Sequence, residues 1–286
     1  MVPHHFLPTI RHLHTSRKYI IYSALYGLTT LIVPLAVQFL VNNLALSGLW
    51  LNIVGFLFII GGGLTLSQIL KYCQFVLNEY LQRELFFYEV KRWKRAIEDK
   101  KRMYFVEIFF AMKSYAKSFT SFVDIALTAA FGLVTIVTFH PAFLLLPLVI
   151  GLTLYQIHLS TRPAIESSIH ESDEKYHLYK MAFADELPQN AEINAYLKCR
   201  DEHFSFIKRN TIKIAVLFGV CQLALLGAGT WMVQADQLSI GQLVSAEIIF
   251  SGIMISLSKL PAALEGFYDY ETSIYKLLKA KGEEHD

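Results

Sequence analysis

Hydrophobic and polar positions alternate in blocks along this chain, and the blocks are long. Apolar runs cover about Tyr19–Leu46, Trp50–Leu70, Phe122–Phe139, Ala142–Ser160, Ile214–Val233 and Ile240–Leu260. Each is long enough to cross a hydrocarbon layer of about 30 Å as a helix, so the pattern predicts six spans. Two polar but still helically periodic stretches interrupt them. From Lys71 the charge rises through Glu79, Arg83, Glu84 and Glu89 to Lys91-Arg92-Trp93-Lys94-Arg95. The chain is expected to turn within Glu98–Phe105 and to return through Phe109, Met112 and Phe119. The second polar stretch runs from Arg162 to Lys213. In it Ile165, Ile169, Tyr176, Tyr179 and Phe183 form one helical stripe, and Ile193, Leu197, Phe204 and Ile207 a second. Pro188 disfavours helix through Leu187, so the turn belongs at Leu187-Pro188-Gln189-Asn190. Arg162 to Leu187 as a helix reaches roughly 40 Å. The pattern therefore predicts an all-α polytopic membrane protein with two long arms on one side.

Smaller features refine this outline. Pro34 interrupts span 1, which a membrane helix tolerates when neighbours satisfy the freed carbonyl. Gly61-Gly62-Gly63 in span 2 lacks the GK[ST] of a phosphate loop and suits close helix packing. His140-Pro141 and Gln234–Gln237 make tight turns. Pro261 follows span 6, and an amphipathic tail continues through Leu264, Phe267, Tyr270 and Ile274. Residues 1–18 form an amphipathic, basic segment suited to the membrane face, residues 19–280 the membrane domain, and residues 281–286 a polar tail. His4, His5, His12 and His14 lack a nearby carboxylate or thiolate, so interfacial anchoring is preferred to a metal.

Composition agrees with the pattern. Hydrophobic residues make up 54% of the 286 and charged residues 17%, and the mean hydropathy is +0.39. A soluble domain carries about a quarter charged residues. Cys73, Cys199 and Cys221 are odd in number and form no CxxC, so neither a disulfide framework nor a zinc site is expected. The first block is too long for a signal sequence and is read as a retained span. Lys and Arg gather before span 1, between spans 2 and 3, between spans 4 and 5, and after span 6, whereas the opposite loops carry none. The positive-inside rule then places both termini and both arms in the cytoplasm, and the expected location is the plasma membrane, in a bacterium the inner membrane.

This outline resembles the transmembrane domain of an ABC exporter of the six-helix, type I fold. Gln237-Leu238-Ser239-Ile240-Gly241-Gln242-Leu243-Val244, followed by Leu257-Ser258-Lys259-Leu260-Pro261, is similar to the entry and inner end of the sixth helix of that family. Ile32–Asn43 resembles the first helix of its peptide and protein secretion branch. The resemblance covers about Tyr19 to Lys279. It implies two coupling helices at the arm tips, about Arg102–Phe110 and about Ala182–Asn190, seated on a nucleotide-binding domain. Tyr104, Phe105, Phe183 and Leu187 would be the apolar anchors, with Glu107, Asp185 and Glu186 fixing register against basic groups. Partly, such aromatics pack on the neighbouring arm.

One departure matters. No GxxxxGK[ST] loop occurs anywhere in the 286 residues, so ATP and Mg would be bound by a separate ABC ATPase subunit and no cofactor by this chain. The polar tail Lys279–Asp286 favours a separate gene product over a fragment. The expected partners are that ATPase, a second copy or a related membrane subunit, a periplasmic adaptor of the secretion branch, and membrane lipid, but no nucleic acid.

Glu247 lies among apolar neighbours in span 6 and is the foremost intramembrane candidate, for a cationic substrate region or a proton. Its plain alternative is a pair with a neighbouring helix. Gln38, Asn42 and Gln222 complete a candidate pathway; the plain alternatives are contact with interfacial water for Gln38 and Asn42 and interhelical hydrogen bonding for Gln38 and Gln222. Asp124 sits near the inner end of span 3, where water is closer. The reading is the permease subunit of a split exporter of peptide, protein or hydrophobic substrate. The alternative is a non-pumping scaffold or regulatory subunit of the same fold. A membrane enzyme using Glu247 with His140 or His158 lacks a nucleophile or metal triad.

Overall fold

The computed structural model describes residues 14–47, 50–92, 101–184 and 187–281. Among them the chain is all helical. In order, the elements are α1 (His14–Thr30), α2 (Ile32–Ser47), α3 (Trp50–Arg92), α4 (Lys101–Phe139), a 3-10 turn (Pro141–Leu144), α5 (Leu145–Leu159), α6 (Thr161–Phe183), α7 (Asn190–Gln234), α8 (Ile240–Leu257) and α9 (Leu260–Lys281). Six stretches are long and apolar enough to cross a membrane, beginning at His14, Val54, Val106, Pro141, Asn190 and Ile240. They coincide with the six spans read from the pattern.

Breaks within three of these stretches have local causes. Pro34 has no N–H to give the Thr30 carbonyl, and the helix breaks at Leu31, whose N–H bonds to the Leu28 carbonyl at 3.2 Å. The fourth stretch breaks at Ser160, between α5 and α6. The sixth breaks at Ser258-Lys259, and Pro261 then falls in the first turn of α9, where its missing N–H costs nothing. At the turn between spans 3 and 4, His140 Nδ1 accepts from the Ala142 N–H at 3.2 Å, and Pro141 opens the 3-10 turn.

Helices α4 and α9 form the axis of the arm side and pack along each other. Their joint core is aromatic: the Tyr115 ring lies 5.8 Å from Phe119 and 5.3 Å from Tyr270, with Leu81, Leu85 and Ile108 around it. In the apolar part α8 is central, packed on α2, α4 and α7. Ile249, Phe250, Ile253 and Met254 are buried there. The tail read as amphipathic is thus an internal helix: Leu264, Tyr270 and Ile274 are all buried. Large apolar side chains elsewhere face outward, among them Phe58 at 78% and Leu223 at 73% exposure. For residues crossing a bilayer, lipid tails supply the contacts that water cannot.

The ends of the spans are fastened by polar groups. On the short-loop side, Asn42 Oδ1 accepts from the Gly241 N–H at 3.2 Å and Asn42 Nδ2 donates to Ser239 Oγ at 3.1 Å. Ser239 also caps α8 by accepting from the Gln242 N–H. One turn further in, Ser245 Oγ donates to the Pro34 carbonyl at 2.6 Å. Gly241 is needed for this approach, because an added Cβ would lie 2.5 Å from Asn42 Oδ1 and 2.6 Å from the Gln38 carbonyl. On the arm side, Glu84 accepts from the N–H groups of His14 and Thr15 at 2.7 and 2.9 Å, capping α1 from a neighbouring helix. Burial would raise the Glu84 carboxyl, but these bonds outweigh it and hold the group below its usual range.

Two expectations need correction. Of the three glycines at 61–63, only Gly63 meets a neighbour, Ile32, while Gly61 and Gly62 face open space. Close packing is therefore served by one position of the triplet. Secondly, neither proposed coupling segment forms a separate short helix among the described residues. Residues 102–110 continue directly into α4, and residues 187–189 are non-helical between α6 and α7. The stripe of α4 runs unbroken from its first turns, and Pro188 holds its own stretch extended. Residues 1–13, with His4, His5 and His12, and residues 93–100 lie outside the described residues, and of the turn expected in Glu98–Phe105, residues 101–105 are already helical.

Replacing Gly241 by Val is expected to destabilise the bundle by about 1–3 kcal/mol, the usual cost of forcing extra methyl groups into a packed contact. Thermal unfolding in detergent measures it, and Gly61→Val, at an open position, is expected to leave the midpoint unchanged.

Candidate functional site

Three places on the molecule gather polar chemistry: the arm tips, a seam between the arms, and the carboxylates inside the apolar part. At 1.5 Å per residue, the 43-residue α3 and the 45-residue α7 are ~65 Å long. A hydrocarbon core of about 30 Å covers less than half of either. The remainder projects as continuous helix, which is what gives the tips a fixed position.

At the second tip, Leu187 is 90% exposed in the extended link before α7. Glu192 accepts from the Gln189 N–H and so starts that helix. Asp185 and Glu186, and the side chains of Phe183, Tyr104 and Phe105, lie outside the described residues. Glu107 is not a free tip residue: it pairs with Lys276 Nζ of α9 at 3.6 Å, and Lys276 also donates to the Ser172 carbonyl at 3.1 Å. That ties α4, α6 and α9 together below the membrane part.

The seam was not foreseen from the apolar stripes. In α7 the expected face is largely exposed, with Ile193 at 38%, Leu197 at 48% and Phe204 at 50%. The buried face is instead His203, Asn210, Ile214, Leu217 and Cys221. His203 Nδ1 lies 2.7 Å from Glu171 Oε2, and Arg200 Nη1 donates to Glu171 Oε1 at 2.9 Å. Arg200 Nη2 also approaches Glu265 of α9 at 3.9 Å, as does Lys117 of α4. Thr272 Oγ1 donates to Ser168 Oγ at 3.0 Å nearby. Burial alone would raise the Glu171 carboxyl, but the His203 and Arg200 bonds overcome it and hold the group below the usual carboxylate range. The same pairing, set against burial, raises Arg200. The spacing that marks this face, 203-210-214-217-221, is visible in the sequence only if His and Asn are admitted to a core stripe.

Inside the apolar part the two carboxylates differ in how they are met. Asp124 is surrounded by donors: Ser23 Oγ at 2.9 Å and Gln74 Nε2 at 3.3 Å to Oδ1, and Tyr19 Oη at 3.2 Å to Oδ2. Gln74 also donates to Ser23 at 2.8 Å, so α1, α3 and α4 share one network. Glu247 Oε1 accepts from Gln222 Nε2 at 2.7 Å and from Ser251 Oγ at 3.3 Å. Of the four residues proposed for a pathway, the structure brings Glu247 and Gln222 together. Asn42 is engaged in the α2–α8 clamp, and Gln38 lends that clamp its close-lying carbonyl. Cys73, Cys199 and Cys221 are free thiols, and no group of three metal-ligating side chains occurs among the described residues.

Glu171 provides a pH test. Its folded-state pKa lies below the unfolded one, so its stabilisation is complete above the unfolded value, near 4.5, and is lost as the pH falls through that value toward the folded one. Glu171→Gln is expected to lower stability at pH 7 by about 1.5–3 kcal/mol, the worth of hydrogen bonds to a charged group. Thermal unfolding of both proteins is expected to converge as the pH drops below about 4. No family model matches the chain, and no curated protein matches it.

Proposed function

We propose that this chain is the membrane subunit of a split ABC-type exporter, whose ATP-hydrolysing part is not contained in these 286 residues. Two copies, or one copy and a related subunit, enclose a pathway between their spans, and the arms face the cytoplasm of a bacterial inner membrane. The ATPase seats on the arm tips and moves them, and the displacement switches the pathway between its two faces. The substrate class is a peptide, a protein or a hydrophobic molecule, with a periplasmic adaptor as a further partner.

The observation that carries this reading is the continuity of helix from span to tip. A bundle that only needed to sit in a membrane has no use for ~65 Å helices. Rigid elements of this length transmit a displacement with little loss, as hinge and shear transitions require. Leu187, nearly fully exposed at the tip, is the apolar side chain that the ATPase covers in this reading. The charge distribution supports the orientation: the arm-side segments carry the Lys and Arg clusters and the short loops carry none.

Purification from native membranes is expected to bring down an ATPase with the wild-type chain, and Phe183→Asp with Leu187→Asp is expected to release it while the bundle stays folded. Retention of the ATPase by that double variant overturns the assignment of the tip. Spin labels on the two arms are expected to change separation when ATP is added to the assembly; a spacing indifferent to nucleotide favours the static scaffold instead.

A further inference from the structure

Between α7 and α8 the apolar part holds more hydrogen-bond acceptors than donors. Both donors near Glu247, the Gln222 amide and the Ser251 hydroxyl, go to the same oxygen, Oε1. Oε2 receives no hydrogen bond among the described residues, and Gln222 Oε1 is buried without a partner. Seven residues separate Glu247 from the start of α8, roughly 10 Å at the helical rise, and twelve separate Gln222 from the end of α7, roughly 18 Å. Both are therefore well below the membrane surface, where polar groups must find their partners in protein or ligand.

No internal cation answers this carboxylate. The helices packed on α8 are α2, α4 and α7, and none carries Lys or Arg at 32–47, 125–139 or 214–234. Lys213 is nine residues from Gln222, about 13 Å along α7, and Lys259 is twelve from Glu247, about 18 Å along α8. The pair opens outward: Gly219, one turn from Gln222, and Gly252, beside Ser251, are both exposed, and a Cβ at either would meet nothing within 4 Å. One vacant carboxylate oxygen, on Glu247, and one vacant amide oxygen, on Gln222, suit a ligand group that is positively charged and carries several N–H donors. A single carboxylate is a poor set for calcium or magnesium, which take six or more oxygens.

We propose that Glu247, Gln222 and Ser251 form a binding site for the N–H-bearing cationic group, an ammonium or guanidinium, of an otherwise apolar transported molecule. The ammonium approaches Glu247 Oε2 and Gln222 Oε1 while Gln222 Nε2 and Ser251 hold the carboxylate in place, and its apolar body lies along Leu223 and Val220, both exposed on α7. This rests on the transport reading for the word transported, but binding itself does not need the ATPase.

The test uses the full chain in phosphatidylcholine nanodiscs, whose quaternary ammonium offers no N–H. Decylammonium is titrated against wild type, Glu247→Gln and Asp124→Asn, with decanol as the uncharged probe, and the unfolding midpoint is read. Decylammonium is expected to stabilise wild type and Asp124→Asn alike, and Glu247→Gln is expected to need about ten- to a hundredfold more, the worth of a charge-assisted hydrogen bond. In wild type alone, carbodiimide labelling of Glu247, read by mass spectrometry, is expected to be blocked by decylammonium and not by decanol. Equal half-saturation in Glu247→Gln, or equal protection by decanol, overturns the proposal. Protection by added phosphatidylethanolamine alone assigns the site to a lipid headgroup and also overturns it. The arm-tip experiment stands or falls apart from these, since no ATPase is present here.

Discussion

A hydrocarbon layer offers no hydrogen bonds, and this molecule is arranged around that shortage. Several polar side chains on inward faces of the spans reach a partner on another helix, and those partnerships set how the helices meet. Asn42 fixes α2 against the start of α8. Asp124 gathers α1, α3 and α4. Gln222 meets Glu247 across α7 and α8. Apolar contact cannot supply the same specificity, because side chains such as Leu and Phe fare nearly as well against lipid as against each other.

Below the apolar part the problem reverses. Water is available, so a long helix needs a reason to stay packed rather than to separate. The seam of Glu171, Arg200 and His203 answers it by pairing a mostly buried carboxylate with a half-exposed guanidinium and a buried imidazole, reaching toward Glu265 and Lys117 on the α4–α9 pair. Lys276, between Glu107 and the Ser172 carbonyl, does the same one level further along. The second arm is thus joined to the α4–α9 pair by ionic contacts beside its apolar ones, while across the α4–α9 pair aromatic rings meet edge-on, Tyr115 against Tyr270 and Phe122 against Phe267. Removing Arg200 leaves the mostly buried Glu171 carboxylate with one partner fewer, which costs more than the pair contributes.

Most of the spans were legible because periodicity and length suffice for them. Pro34, Pro141 and Pro261 all mark a break or a helix start within a few residues of where they stand. The second arm was misread in one respect. Ile193, Leu197 and Phe204 make a regular stripe, yet they face outward, and His203 and Asn210 face inward. A pattern that scores only apolar residues has no means to find a face whose burial depends on a carboxylate in another helix thirty residues away. Glu107 was placed at a tip by position and is instead paired with Lys276, for the same reason: partners distant in sequence decide where a charge ends up. Glu247 stands out in the sequence as an ionisable group among apolar neighbours, and only the fold shows that its two donors share one oxygen.

The interruption at Leu31 divides the first span between two loyalties. Below it, α1 is bound to α3 and α4 through Tyr19, Ser23 and the cap from Glu84; above it, α2 is bound to α8 through Asn42 and Ser245. Because Pro34 leaves the Thr30 carbonyl without its usual donor, the rod is weakest where ownership changes. The upper segment can therefore tilt with α8 while the lower one stays with its own neighbours, and a single peptide unit absorbs the difference.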